Sequence, residues 1–158
     1  MHMGKISRET PLAEITLRRY ERPCVNDREL VRKFCLSLGL LQPGDSRDVI
    51  VDVLRVLLKA RQEKEELHSE EIKNKVMDYR KTNKLAMLGI ASSNIRRQLK
   101  RLKDLHLIET NANLYRISEW NNVTEIFEEK IKNFMLSSIM SRINEYVQKI
   151  DEEFPHKS

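Results

Sequence analysis

Ser92, Ser93, Asn94, Arg96, Arg97, Gln98, Lys100 and Arg101 crowd cationic and hydrogen-bonding side chains into one short stretch. A guanidinium presents a planar fork of donors, and a carboxamide presents a donor beside an acceptor. These geometries suit nucleobase edges, Arg on guanine and Asn or Gln on adenine, while Lys and Ser suit phosphate oxygens. Catalytic chemistry has less to draw on. A nucleophile needs a base beside it, yet the histidines are His2, His68, His106 and His156, two of them near the ends of the chain. No HExxH, GxxxxGK or GxGxxG signature occurs, and the carboxylates lie among lysines and arginines on charged faces. Cys24 and Cys35 match neither a CxxC redox pair nor half a zinc site, and Cys35, between Phe34 and Leu36, reads as a small apolar core residue. We therefore expect no enzymatic activity, no cofactor and no metal.

Something must hold those side chains outward. Ile95, Leu99, Leu102 and Leu105 recur at helical spacing, which predicts a helix over residues 93–105 with one apolar stripe and a basic outside. Ser92 or Ser93 is the expected cap, because a hydroxyl oxygen accepts from an unpaired amide at a helix start. Beyond the helix, Leu107-Ile108-Glu109-Thr110 and Leu114-Tyr115-Arg116-Ile117 read as two short strands joined at Asn111-Ala112-Asn113, where asparagine tolerates positive φ.

A capped basic helix followed at once by a hairpin resembles the winged helix-turn-helix family of prokaryotic and archaeal transcriptional regulators. The resemblance implies a mainly α fold with a small β-hairpin wing, and it covers about the middle half of the chain. It also implies that the N-terminal half of the helix reads DNA in the major groove. On that basis Asn94, Arg97, Gln98 and Arg101 are expected at base edges, and Ser92, Ser93, Arg96 and Lys100 at phosphates. The wing, with Asn111, Asn113 and Arg116, is expected to add hydrogen bonds to phosphate at most, since its tip carries no lysine or arginine.

The rest of the chain is read around that core. Residues 1–44 form an N-terminal arm and helix, 45–120 the winged-helix domain, and 121–158 a long C-terminal helix. In the arm a short element is expected over residues 12–20, beside a cluster of Arg18, Arg19 and Arg22. Asn26 and Glu29 suggest a capping box for a first helix over residues 27–38, burying Leu30, Val31, Phe34 and Leu38 and closed by Gly39. Asp45 or Ser46 is expected to cap a broadly apolar second helix, Leu67-His68 to supply a short strand, and Ser69 to cap a third helix. Residues 80–91 are longer than a tight turn, so either that helix is extended or an extra short one spans residues 85–88. Trp120 is expected to pack on the core.

Over residues 123–154 the apolar positions, among them Ile126, Ile131, Phe134, Ile139, Ile143 and Ile150, predict a helix roughly 45 Å long. A small core cannot cover that length, so a second copy, giving a homodimer, is the expected partner for its far end. The alternative is the chain's own N-terminal helix.

Bulk composition agrees with a helical protein, since glycine and proline number four each. No apolar run approaches the roughly 20 residues of a membrane span, and the polar start MHMGKISRET carries no leader, so a cytoplasmic protein is expected. The net charge of +5 is unevenly spread: Lys84, Arg96, Arg97, Lys100, Arg101 and Lys103 make the centre basic, while the last part is mixed to acidic. Double-stranded DNA is thus the expected partner, in a sequence-specific transcriptional regulator. A winged-helix module that binds other proteins is the alternative.

Overall fold

In the computed structural model, which describes residues 14–16 and 18–157, the chain is mainly helical with one small three-stranded antiparallel sheet. It divides into two compact units, one through Trp120 and one from Asn121.

The first unit is organised by α2 (Val49–Gln62). Nearly every apolar residue of this helix is buried, and it packs against α1 (Asp27–Ser37), α3 (Ser69–Thr82), α4 (Ser92–Asp104) and β3 (Leu114–Ile117). Contact on several sides is what its broad apolar surface requires, each buried Val, Leu or Ile contributing about 1.5–3 kcal/mol. β1 (Leu67–His68) and β2 (Ile108–Asn111) flank β3, giving the order β1-β3-β2. The β2–β3 loop contains only Ala112 and Asn113, both at positive φ, the conformation of a type I′ hairpin turn. Asn111 itself pairs with Leu114 and closes β2 rather than belonging to the turn.

Several local expectations are corrected. α2 starts after Asp48, not Asp45 or Ser46, and the Asp48 carboxylate makes no capping bond because two arginines engage it. α3 is capped by His68, whose Nδ1 accepts from the Glu70 amide at 3.3 Å while Glu71 accepts from the His68 amide at 3.1 Å; Ser69 is already inside the helix and buried. In α1, Asn26 caps as expected, accepting from the Glu29 amide at 2.9 Å, but the Glu29 side chain pairs with Arg32 instead of reaching back. Leu30 is exposed, and the buried face of α1 centres on Cys35 and Leu38. Gly39, at φ +72, follows this helix, and a Cβ there would collide with the backbone of Glu14, so a side chain is excluded twice over. The connection from α3 to α4 carries no helix: α3 extends to Thr82 and residues 83–91 are irregular. Residues 14–16 and 18–20 are also irregular, and the start of the short element expected over residues 12–20 lies outside the described residues.

The second unit is helical from Val123 onward. α5 (Val123–Ile126) runs into a π-helical segment (Phe127–Leu136) and then α6 (Ser137–Glu153), so the expected single α-helix has a widened middle. Bonds from residue i to i+5 bring residues five apart onto one face, as with the buried pair Ile126 and Ile131. Among the described residues no helix is long and apolar enough to cross a membrane.

Burial gives Cys35 a measurable signature. Loss of solvent pushes its thiol up to about 12, with the Asp52 charge acting the same way and Arg101 opposing. Because only the thiolate reacts, a disulfide reagent at about pH 8 should titrate the half-exposed Cys24 quickly and Cys35 only on unfolding. Fast modification of both would contradict the closed α1–α2 core. A raised thiol pKa also means that its stabilising contribution is complete below the unfolded value near 9 and is lost as pH rises toward about 12.

Candidate nucleic-acid interface

α4 presents two opposite chemistries. Ile95, Leu99 and Leu102 are fully buried, and Leu105, the C-cap residue, is nearly so. Arg96, Arg97, Lys100 and Lys103 are exposed, and Arg101 is half-buried. Five cations against one carboxylate, Asp104, make the outer face strongly positive. Lys100 pairs with Asp104 at 2.9 Å, whereas Arg96, Arg97 and Lys103 have no ion-pair partner among the described residues.

The two carboxamides are already employed. Asn94 Nδ2 donates to the Gly89 carbonyl at 2.6 Å, Gln98 Nε2 donates to Asn94 Oδ1 at 3.0 Å, and Arg101 Nη1 donates to Gln98 Oε1 at 2.9 Å. Positions 94, 98 and 101 are successive neighbours along one edge of a helix, which lets the chain of bonds form. Reading adenine uses the donor and acceptor of one amide together, so Asn94 and Gln98 would have to give up or share these bonds. Asn94 instead locks α4 to the preceding loop, where Gly89 sits at φ +76. Of the four residues expected at base edges, Arg97 alone is both exposed and unengaged among the described residues.

The start of α4 is also rearranged. Its N-cap is Ala91, which has no side-chain oxygen to give, and neither Ser92 nor Ser93 caps. Ser92 Oγ accepts from Lys73 Nζ of α3 at 3.0 Å, bringing a lysine that sequence reading passed over to the helix start. The first amides of a helix lack intrahelical acceptors and carry the positive end of its dipole. Ser92 and Ser93 thus stand where a phosphate oxygen is best received.

The hairpin contributes less. Asn111, Ala112 and Asn113 are exposed at its tip. Arg116 lies on β3 and donates to Glu109 Oε1 at 2.6 Å, with Glu66 at 3.8 Å and its guanidinium 4.0 Å from the Trp120 ring centre. Two carboxylates and a stacked indole neutralise and hold it, so Arg116 brings no uncompensated charge.

Beneath the site lies a cluster the sequence reading missed. Arg28 donates to Asp52 Oδ1 and to Asp48 Oδ2, both at 2.9 Å; Arg80 Nη1 reaches Asp48 Oδ1 at 3.0 Å and Asp52 Oδ2 at 2.5 Å. Asp52 is 1% and Arg80 2% exposed. Burial opposes the charged form of both Arg28 and Asp48, but hydrogen bonds and charges from Asp52 and Asp48 raise the Arg28 pKa, and those from Arg28 and Arg80 hold the Asp48 carboxyl below the usual range. Arg80 Nε also donates to the Ala86 carbonyl at 2.7 Å. One cluster therefore joins α1, α2, α3 and the loop that delivers α4. A signal existed: Asp52 interrupts an apolar run, and Arg80 follows Ile72 and Val76 on the buried stripe of α3.

No protein-family model, curated protein or solved structure matches the chain.

Proposed function

We propose that α2, α3, α4 and the β1–β3 sheet form a winged helix-turn-helix domain that binds duplex DNA as a sequence-specific transcriptional regulator, with α4 in the major groove. The observation that carries this reading is the pairing, on one helix, of a buried apolar stripe with exposed Arg96, Arg97 and Lys103 that no described carboxylate neutralises. Thirteen residues make α4 about 20 Å long, and a helix of ordinary diameter fits the major groove. Unengaged cations gain affinity by displacing counterions condensed on DNA. Charges already paired within the protein gain less, which ranks Arg97 and Arg96 above Lys100 and Arg116.

The experiment is selection of the purified protein on a random-sequence duplex pool across a salt series, with the enriched molecules sequenced. The expected result is enrichment of a defined motif, with affinity falling as salt rises. Negligible binding near about 150 mM salt would remove the DNA reading. A protein-binding module would then stand in its place, a reading favoured by the neutralised Arg116 and by exposed Met87 and Leu88 in the loop before α4.

A further inference from the structure

α6 carries a second surface without a partner among the described residues, and it is apolar. Ile139, Ile143, Tyr146 and Ile150 recur at alternating steps of four and three, the seam spacing of paired helices, and all four are exposed, from 44% to 57%. Met140, Val147 and Phe154 recur every seven residues beside that seam and are exposed as well. On the other side of the seam stand Arg142 and Lys149.

We propose that this face of α6 pairs with the same face of a second copy of the chain, the two helices running antiparallel. The proposal is independent of what α4 binds. Three observations select the occupant and its direction. The seven exposed apolar side chains, from 44% to 79% exposed, offer at most roughly 800 Å² per chain, on the order of what one partner contributes to a stable interface of standard size. The cations bordering the seam are satisfied within their own helix: Arg142 pairs with Glu145 at 2.6 Å, and Lys149 with Glu153 at 3.2 Å and Glu152 at 3.5 Å. A border neutralised in this way calls for no oppositely charged partner and fits another border of the same kind, which a second copy supplies by symmetry.

Direction follows from the flanking columns. Antiparallel helices set each flanking column against its own counterpart, so Met140 and Val147 meet apolar side chains. Parallel helices would set Val147 and Phe154 against Arg142 and Lys149. They would also bring together one end of both copies, where Asp151, Glu152 and Glu153 outnumber the single Lys149 that pairs with two of them, so that the excess like charges repel.

Sedimentation equilibrium of the full chain at about 50 μM, above the micromolar dissociation constant of the weaker interfaces of this size, should give twice the chain mass. Ile143→Glu should give the single chain mass with unchanged helix content, since Ile143 is exposed. In a Cys24→Ser background, oxidising a mixture of Ile139→Cys and Ile150→Cys chains should cross-link one to the other, because antiparallel pairing sets residue 139 opposite 150, and neither chain alone should cross-link. A monomeric parent, or an Ile143→Glu variant that remains dimeric, overturns the interface. Self-cross-linking of Ile150→Cys overturns the antiparallel direction.

Discussion

Asp52→Asn should lower the unfolding free energy by about 3–5 kcal/mol, read as a fall in the denaturant midpoint at unchanged slope. Arg28, Asp48, Asp52 and Arg80 balance two charges of each sign, and removing one carboxylate leaves a cation in excess around a guanidinium only 2% exposed. A buried charge without its counter-charge is costly because neither water nor a partner solvates it. Against a typical total of about 5–15 kcal/mol, the loss is large. It should be mostly recovered in Asp52→Leu with Arg80→Met, which removes one charge of each sign and leaves the Arg28–Asp48 pair at 2.9 Å. If Asp52→Asn costs under about 1 kcal/mol, the cluster is energetically a surface ion pair and its assigned role fails. The double variant has a second consequence: it also removes the Arg80 bond to Ala86, so a fold restored in stability should still hold the loop before α4 less firmly.

Arg97→Ala should weaken binding to the selected duplex by about 1–3 kcal/mol, roughly 5- to 150-fold, with a smaller loss on unrelated duplexes. The side chain is exposed and without a partner among the described residues, so its removal should shift stability by no more than about 0.5 kcal/mol, and lost affinity is then not lost folding. Lys103→Ala serves as the contrast: it should weaken every duplex alike and reduce the salt slope by about one. Equal losses on all duplexes for Arg97→Ala would make it a phosphate contact. No loss on any duplex would place α4 outside the interface and defeat the proposed reading. Titration of fluorescent duplexes at several salt concentrations decides among these outcomes.

Much of the arrangement was legible from local pattern. The stripe of Ile95, Leu99, Leu102 and Leu105 places α4 and its buried face, because a residue's direction on a helix depends only on its place in the repeat. The pairs of short apolar runs flanking Asn111-Ala112-Asn113 place the hairpin for the same reason, and Leu67-His68 joins it as the third strand. The helix caps were legible far less well. Ser69, Ser92, Ser93, Asp45 and Ser46 all suit a helix start by type, yet the N-cap positions fall to His68, Ala91 and Asp48, of which only His68 makes a side-chain capping bond. Capping is a competition among polar groups for the same few amides, and tertiary partners entered it: Lys73 engaged Ser92, and two arginines engaged Asp48.

The candidate site divides along the same line. Its residue types and their placement on one basic helix were determined by the sequence alone, through a periodicity that needs no knowledge of distant residues. Which of those side chains remain unengaged was decided by the tertiary structure: Asn94 turned to Gly89, Gln98 to Asn94, Arg116 to Glu109 and Trp120, while Arg97 was left exposed. The buried cluster beneath them was likewise decided by tertiary structure, since Arg80 meets Asp52 and Asp48 across 28 and 32 residues of chain. Helical repeat is a property of the backbone and is written in adjacent residues; the pairing of charges and hydrogen bonds depends on which segments the collapsed core brings within about 3 Å, and no local spacing encodes that.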